Sequence, residues 1–313
     1  MNLSSAGAKQ RSGALPLTQR NRSEGWSHAK RTGHNLECEI ASELRCNLGF
    51  SSKLHERLFG ETAGSLPEVE VGGSDASPVP SVLEGKTPSK SDLCVRWDSD
   101  RVARISLKKS DQGQVWLVSA ERFFSGFEAH FGEAVPVSVQ LGLRLFIGPI
   151  EMEEMRRVLG GSRPKGPCDR RGEFQEYRQR RFVSYSLEAF EPESWKATLR
   201  WLGIEMPRIT ELCFARGLCS DHTGIAEFVW YPLACIATGE RFGFDIFPID
   251  HLIRAVSLVP LQHRAIPGPT RGGSTVLMPF GSLQMHRPSG KNQLQFRHSR
   301  DALVEIVRSA APE

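Results

Sequence analysis

Apolar and polar positions alternate most cleanly in two parts of the chain. In Lys90–Lys109, KSDLCVRWDSDRVARISLKK, the period-two pattern predicts short strands over Leu93–Trp97 and Val102–Leu107. The cluster Asp98-Ser99-Asp100 between them is of the kind that closes a hairpin. The second part is Thr275–His298. There Ser282-Leu-Gln-Met-His286 and Gln293-Leu-Gln-Phe-Arg297 alternate on either side of the turn-forming Pro288-Ser289-Gly290-Lys291-Asn292, which predicts a C-terminal β-hairpin. One face carries Leu283, Met285, Leu294 and Phe296 inward. The other presents Gln284, His286, Gln293, Gln295 and Arg297.

Elsewhere the spacing is helical. Behind a possible Asn35 N-cap, LECEIASELRCNL places Glu37, Ile40, Ala41 and Leu44 on one face at i, i+3, i+4 and i+7. Helical pattern continues through ERFFSGFEAHFG, with Phe123, Phe124, Phe127 and Phe131 expected in the core, then through VSVQLGLRLFIG and EMEEMRRVLG. A helix is expected to start at Pro192 and carry Trp195, Leu199 and Leu202 on one face. A shorter one, ITELCFARG, stops at Gly217. The strand AEFVWY, the helix PIDHLIRAVSL and a final helix RDALVEIVRS capped by Ser299 complete the reading. Three stretches lack a pattern. Residues 1–32 are expected to form a flexible basic arm, residues 60–89 a Gly-, Ser- and Pro-rich loop insertion, and Ser110–Gln114 a polar loop.

Composition narrows the class. At 313 residues with 39% apolar and 24% charged positions the chain is globular, and 29 Gly with 19 Pro imply many loops. Residues 33–313 are read as a single domain, α/β in class. No uncharged apolar run approaches the ~18 residues that a membrane span needs, and the N-terminus lacks the apolar core of a secretory signal. Seven cysteines without regular spacing fit a reducing, cytoplasmic setting. Cys219-x-x-His222 has the spacing of half a zinc site, with no second half nearby.

Charge is uneven. Residues 1–31 hold six Lys/Arg against one acid, and the basic loop 160–181 holds seven Lys/Arg and three acids between Arg163 and Arg181. From Arg254 to Arg300 there are seven Lys/Arg and no acid at all. Basic surface gathered in this way is the footprint of a polyanion. A solvated basic surface is the plainer alternative.

The candidate chemistry sits on the first hairpin. Its geometry puts Asp92 at the start of one strand, with Ser106 and Lys108 on one face of its partner. An acid beside a lysine at the end of a small sheet can hold a divalent metal and a scissile phosphate together; an ordinary amphipathic hairpin has the same spacing. Glu37 is an acid on an inward helix face, which a metal or a buried base would explain, as would a first-turn position favoured by the helix dipole. On the C-terminal ribbon, Gln can pair bidentately with adenine and Arg with guanine. Polar residues also belong on the solvent face of any hairpin.

Taken in order, the helix with its acid, Lys-Ser-Asp entering a strand, Ile-Ser-Leu-Lys-Lys, a helical middle and a glutamine-rich C-terminal hairpin resemble a known family. It is that of the type II restriction endonucleases of the PD-(D/E)XK nuclease superfamily, most like the compact MspI-like four-base cutters. The resemblance covers 33–48, 88–118 and, more loosely, 180–308. It implies a small mixed β-sheet flanked by helices and Mg²⁺-dependent hydrolysis of double-stranded DNA at a short, palindromic sequence. Asp92 is then the metal-binding acid, Lys108 the catalytic lysine, and Glu37 the helix acid that supports the metal directly or through water. Ser106 stands where the superfamily often has Glu or Asp, which gives Glu37 and the carbonyl of Leu107 more weight. Gln114 would touch DNA near the cut, and Gln284, His286, Gln293, Gln295 and Arg297 would read base edges. The resemblance also implies a cognate DNA methyltransferase in the same system and a monomer or loose dimer. A structure-selective repair or recombination nuclease of this fold and a non-catalytic DNA-binding protein are the rival expectations.

Overall fold

The computed structural model describes residues 36–72, 78–148, 182–232, 242–286 and 293–310. The arm 1–32, the Asn35 cap, the helix EMEEMRRVLG, the basic loop 160–181 and the turn 288–292 lie outside the described residues.

The hairpin at 93–107 forms where its alternation places it. Strands β4 (Leu93–Arg96) and β5 (Val102–Leu107) pair antiparallel with Leu93 opposite Ile105. Between them Asp98 Oδ1 accepts from the amides of Asp100 and Arg101 at 2.9 and 2.7 Å, the side-chain turn that makes Asp frequent in such loops. These strands lie inside a five-stranded sheet of order β1-β4-β5-β7-β8, with β1 at Glu68–Val71, β7 at Phe228–Tyr231 and β8 at Asp245–Pro248. Every pairing is antiparallel except β5 with β7.

The expected loop insertion 60–89 therefore differs from the structure. Glu68-Val-Glu-Val71 adds the edge strand, with Val69 buried, and Val79–Pro80 (β2) pairs with Lys86–Thr87 (β3) as a small ribbon. Four alternating residues flanked by Gly and Pro carry too little pattern to stand out from a loop, and pairing with β4 supplies the rest.

A helix over 36–46 and a second at Leu48–Phe59 cover one face of this sheet. Asn47 breaks the first and caps the second, accepting from the Phe50 amide at 3.1 Å. Ile40, Ala41, Leu44 and Leu54 pack fully buried against Leu93, Val95, Ala103, Ile105 and Trp230. Each Leu, Ile or Val side chain among them contributes about 1.5–3 kcal/mol of burial.

The other face joins a larger core. Val229 and Tyr231 meet the inner side of a second, wholly antiparallel sheet of order β6-β12-β11-β10-β9. Its strands are β6 (Gln112–Val118), β9 (Ile266–Pro267), β10 (Thr275–Met278), β11 (Gly281–His286) and β12 (Gln293–Ser299). β6 begins inside the expected polar loop 110–114, because its first residues gain their ladder partners only from β12, far away in sequence. Trp116 stacks on Phe296 with ring centres 5.6 Å apart.

Helices Ala120–Phe131, Val137–Ile147, Pro192–Ile204, Ile249–Leu258 and Arg300–Ala310 surround this core. None of the described helices is long and apolar enough to cross a membrane. Helix Val137–Ile147 meets Pro192–Ile204 at Gly142, where an added methyl would stand inside contact distance of Thr198 Oγ1 and 3.1 Å from the Ser194 carbonyl oxygen. Gly142→Ala is therefore expected to destabilise the fold by roughly 1–3 kcal/mol despite its better helix propensity. A urea titration that left the midpoint unchanged would contradict this packing.

Candidate active site

Asp92 extends β4 by one residue, its amide donating to the Ile105 carbonyl at 2.8 Å. Strand periodicity then sets Asp92, Ser106 and Lys108 on one face, the face turned from helix 36–46 toward the second sheet. The Asp92 Oδ2 atom accepts from the Leu107 amide at 2.7 Å and from the Ser106 hydroxyl at 3.2 Å. Lys108 Nζ donates to Ser106 Oγ at 2.6 Å and lies 3.5 Å from the Leu107 carbonyl oxygen. The hydroxyl of Ser106, 2% exposed, thus receives from the amine and gives to the carboxylate. A hydroxyl is both donor and acceptor, so serine at this position links the other two side chains. The Lys108 backbone N–H donates to the Trp230 carbonyl at 2.8 Å, which locks the end of β5 onto β7.

Burial governs the electrostatics. It raises the Asp92 carboxyl above its ordinary range, against the opposing pull of Lys108, the Leu107 amide and the Ser106 hydroxyl. It likewise lowers the Lys108 amine, while Asp92 and then Glu37 favour its charged form. Glu37, half-buried in the first described turn of its helix, is thereby within electrostatic reach of the lysine.

The donor set is compatible with magnesium. Both hydrogen bonds to Asp92 end on Oδ2, and Oδ1 accepts none among the described residues. The Leu107 carbonyl and the Glu37 carboxylate are further hard oxygen donors, while no group of three or more His, Cys, Asp or Glu side chains among the described residues is arranged to hold a metal. Mg²⁺ needs few protein carboxylates, because it keeps several waters and takes oxygens from substrate phosphates. Zinc normally needs three or four protein ligands. The possible zinc half-site is not assembled among the described residues: Cys219 donates to the Pro88 carbonyl at 3.4 Å, and the His222 side chain is 79% exposed.

Lys90 is not among the site residues expected from the sequence, where it only opens the Lys-Ser-Asp entry to a strand. Its amine donates to the carbonyls of Val115 at 3.0 Å and Cys213 at 2.7 Å and stands over the Trp116 ring. Burial pulls its pKa down to about 8. Gly217, at φ +55°, lets this side chain pass, since a Cβ there would meet Lys90 Cε at 2.8 Å. Two residues before Asp92, Lys90 ties the entry of β4 to the second sheet. Only the tertiary arrangement of those carbonyls reveals it.

The polar face of the second sheet assembles most of the expected reading residues. Gln284 donates to Gln295, and Gln295 donates to Gln114 Oε1 at 3.0 Å, so three amides form a ladder across β11, β12 and β6. His286 stands opposite Gln293 at the far end of the β11–β12 pair, and Arg297 stands opposite Ser282 and Gln114. No described hydrogen bond joins these side chains to Asp92 or Lys108. The same alternation that turns Arg297 outward turns His298 inward, 4% exposed. Its Nδ1 lies 2.8 Å from the Tyr231 hydroxyl. Burial first, then the charges of Lys108 and Arg297, lower its pKa to about 3, so the ring is neutral at pH 7.

No family model matches the chain, and no curated protein matches it. Among solved structures, the chain is similar to the restriction endonuclease MspI in complex with its cognate DNA, at 14% identity and a TM-score of 0.46, over 90% of this chain and 94% of that one.

Proposed function

We propose that this protein is a type II restriction endonuclease that hydrolyses phosphodiesters of double-stranded DNA at a short, palindromic sequence with Mg²⁺ as cofactor. The observation that carries the reading is the chain Lys108–Ser106–Asp92 at one strand end, on the face toward a second sheet that presents a ladder of glutamine amides.

Magnesium, held by Asp92 and the Leu107 carbonyl with Glu37 in direct or water-mediated support, would supply phosphate polarisation and a water of lowered pKa. Asp92 keeps one carboxylate oxygen open by directing its hydrogen bonds to the other. Ser106 fixes the Lys108 amine, and Lys108 orients the attacking water and offsets the charge that grows on the phosphate. Gln114, Gln284 and Gln295 buttress one another and still have donors and acceptors to offer to base edges, alongside His286, Gln293 and Arg297. The basic segments 1–31 and 163–181 would grip phosphates, which makes binding steeply salt-dependent. The host's own copies of the site would be protected by a cognate methyltransferase.

Supercoiled plasmid incubated with the protein and Mg²⁺ should give discrete fragments whose ends share one sequence. A smear would indicate cutting without base recognition, and cleavage confined to branched or mismatched DNA a structure-selective nuclease. Intact plasmid would leave a DNA-binding protein.

A further inference from the structure

On the proposed reading, cutting belongs to the first sheet and base reading to the second, and a buried polar contact joins the two. Tyr231, fully buried, ends β7, and its hydroxyl meets His298 Nδ1 on β12 at 2.8 Å. On the cutting side, Tyr231 follows Trp230, whose carbonyl holds the Lys108 amide at 2.8 Å. On the reading side, His298 follows Arg297. In the β12–β6 pair Arg297 faces Gln114 and His298 faces Gly113. The register slips between Phe296 and Arg297, so this segment of β12 is set apart from the regular ladder before it. The imidazole lies so close over Gly113 that a Cβ there would stand 3.2 Å from Nε2.

We propose that the Tyr231–His298 hydrogen bond couples base recognition by Gln114 and Arg297 to the placement of Lys108. The proposal rests on the nuclease reading. Both residues are positioning residues and touch no substrate. The physical argument is one of adjacency. A base edge that draws Arg297 and Gln114 into place moves the neighbouring peptides of His298 and Gly113. The imidazole is confined between Gly113 and the Tyr231 hydroxyl, and a buried polar pair loses its satisfaction if one member moves alone. The end of β7 must therefore follow, and with it the carbonyl that holds Lys108. Lys90 ties the same two sheets through the carbonyl of Val115 on β6, with a second bond to the Cys213 carbonyl in the helical segment Leu212–Arg216. It stays intact in the variants below and keeps the sheets together when the Tyr–His bond is cut.

The test compares wild type, Tyr231→Phe, His298→Leu and His298→Asn on two duplexes, one with the sequence found at the fragment ends and one with a single mismatch to it. Tyr231→Phe and His298→Leu are each expected to lower the single-turnover rate on the cognate duplex about tenfold and to shrink the cognate-to-mismatch rate ratio. Affinity for the cognate duplex in Ca²⁺ should stay within about twofold of wild type. His298→Asn, whose amide can still meet the tyrosine hydroxyl, should restore the ratio. Independently of cutting, amide exchange at Lys108 in Ca²⁺ should slow on cognate DNA in wild type and not in Tyr231→Phe. Unchanged rates in both bond-breaking variants, or equal losses of rate and affinity on both duplexes, would overturn the coupling alone. A wild type that cuts no duplex would overturn the nuclease reading and the coupling with it.

Discussion

Replacing Lys108 by methionine is expected to lower Mg²⁺-dependent cleavage by about 10²–10³-fold while DNA affinity in Ca²⁺ is retained. Methionine keeps the unbranched apolar stem, so the packing around β5 survives. What is lost is the ammonium, 2.6 Å from Ser106 Oγ and beside the Asp92 carboxylate. That charge is useful mainly when the phosphate gains negative charge in the transition state, so the loss should fall on kcat more than on KM. Burial and Lys108 oppose each other at Asp92: burial raises the carboxyl and the lysine lowers it. In Lys108→Met the carboxyl should rise further, and metal binding should need a higher pH. A variant that cuts at the wild-type rate would remove Lys108 from the chemistry.

Asp92→Asn is expected to abolish detectable cleavage and the response to Mg²⁺ without unfolding the chain. The amide oxygen can still accept from the Leu107 N–H and the Ser106 hydroxyl, so the local hydrogen bonds survive the change. The metal-binding charge does not. The wild-type pH dependence follows from the raised carboxyl. Burial disfavours ionisation of this carboxyl more in the metal-free fold than in the unfolded chain, so its stabilising contribution is present at low pH and is lost as pH rises through the folded-state value. Metal binding needs the ionised form and so competes with this proton, and at sub-saturating Mg²⁺ cleavage should fall as pH drops from above the ordinary aspartate range. Rates measured across pH should show this acid limb in wild type. An acid limb at the ordinary aspartate value would contradict the burial argument.

Much of the fold was legible because its signals are local. The strands at 93–96 and 102–107, their Asp98 turn and the inward and outward faces of β11 and β12 follow from period-two alternation. Pro192 at the first turn of its helix and Ser299 before the last follow from terminal chemistry. Asp92 and Lys108 were legible for the same reason, since both lie on one hairpin and need only its register to converge.

What escaped depends on partners distant in sequence. β1 is four residues whose pairing lies beyond a Gly- and Pro-rich stretch, and β6 needs β12 to become a strand. The helix Leu48–Phe59 is absent from the sequence reading, because its cap Asn47 lies within the stretch expected as one helix through Leu48. Lys90 and the Tyr231–His298 pair gained meaning only when two sheets were laid together. His298 alone carried a local hint, because the alternation that placed Leu294 and Phe296 inward continues one step to it.

The central claim is tested most directly by sequencing the DNA ends produced by wild type and Asp92→Asn, purified in parallel and incubated with plasmid and Mg²⁺. The account predicts ends at one short sequence with wild type and none with the variant. Ends produced equally by both proteins, or an intact plasmid with both, would contradict it.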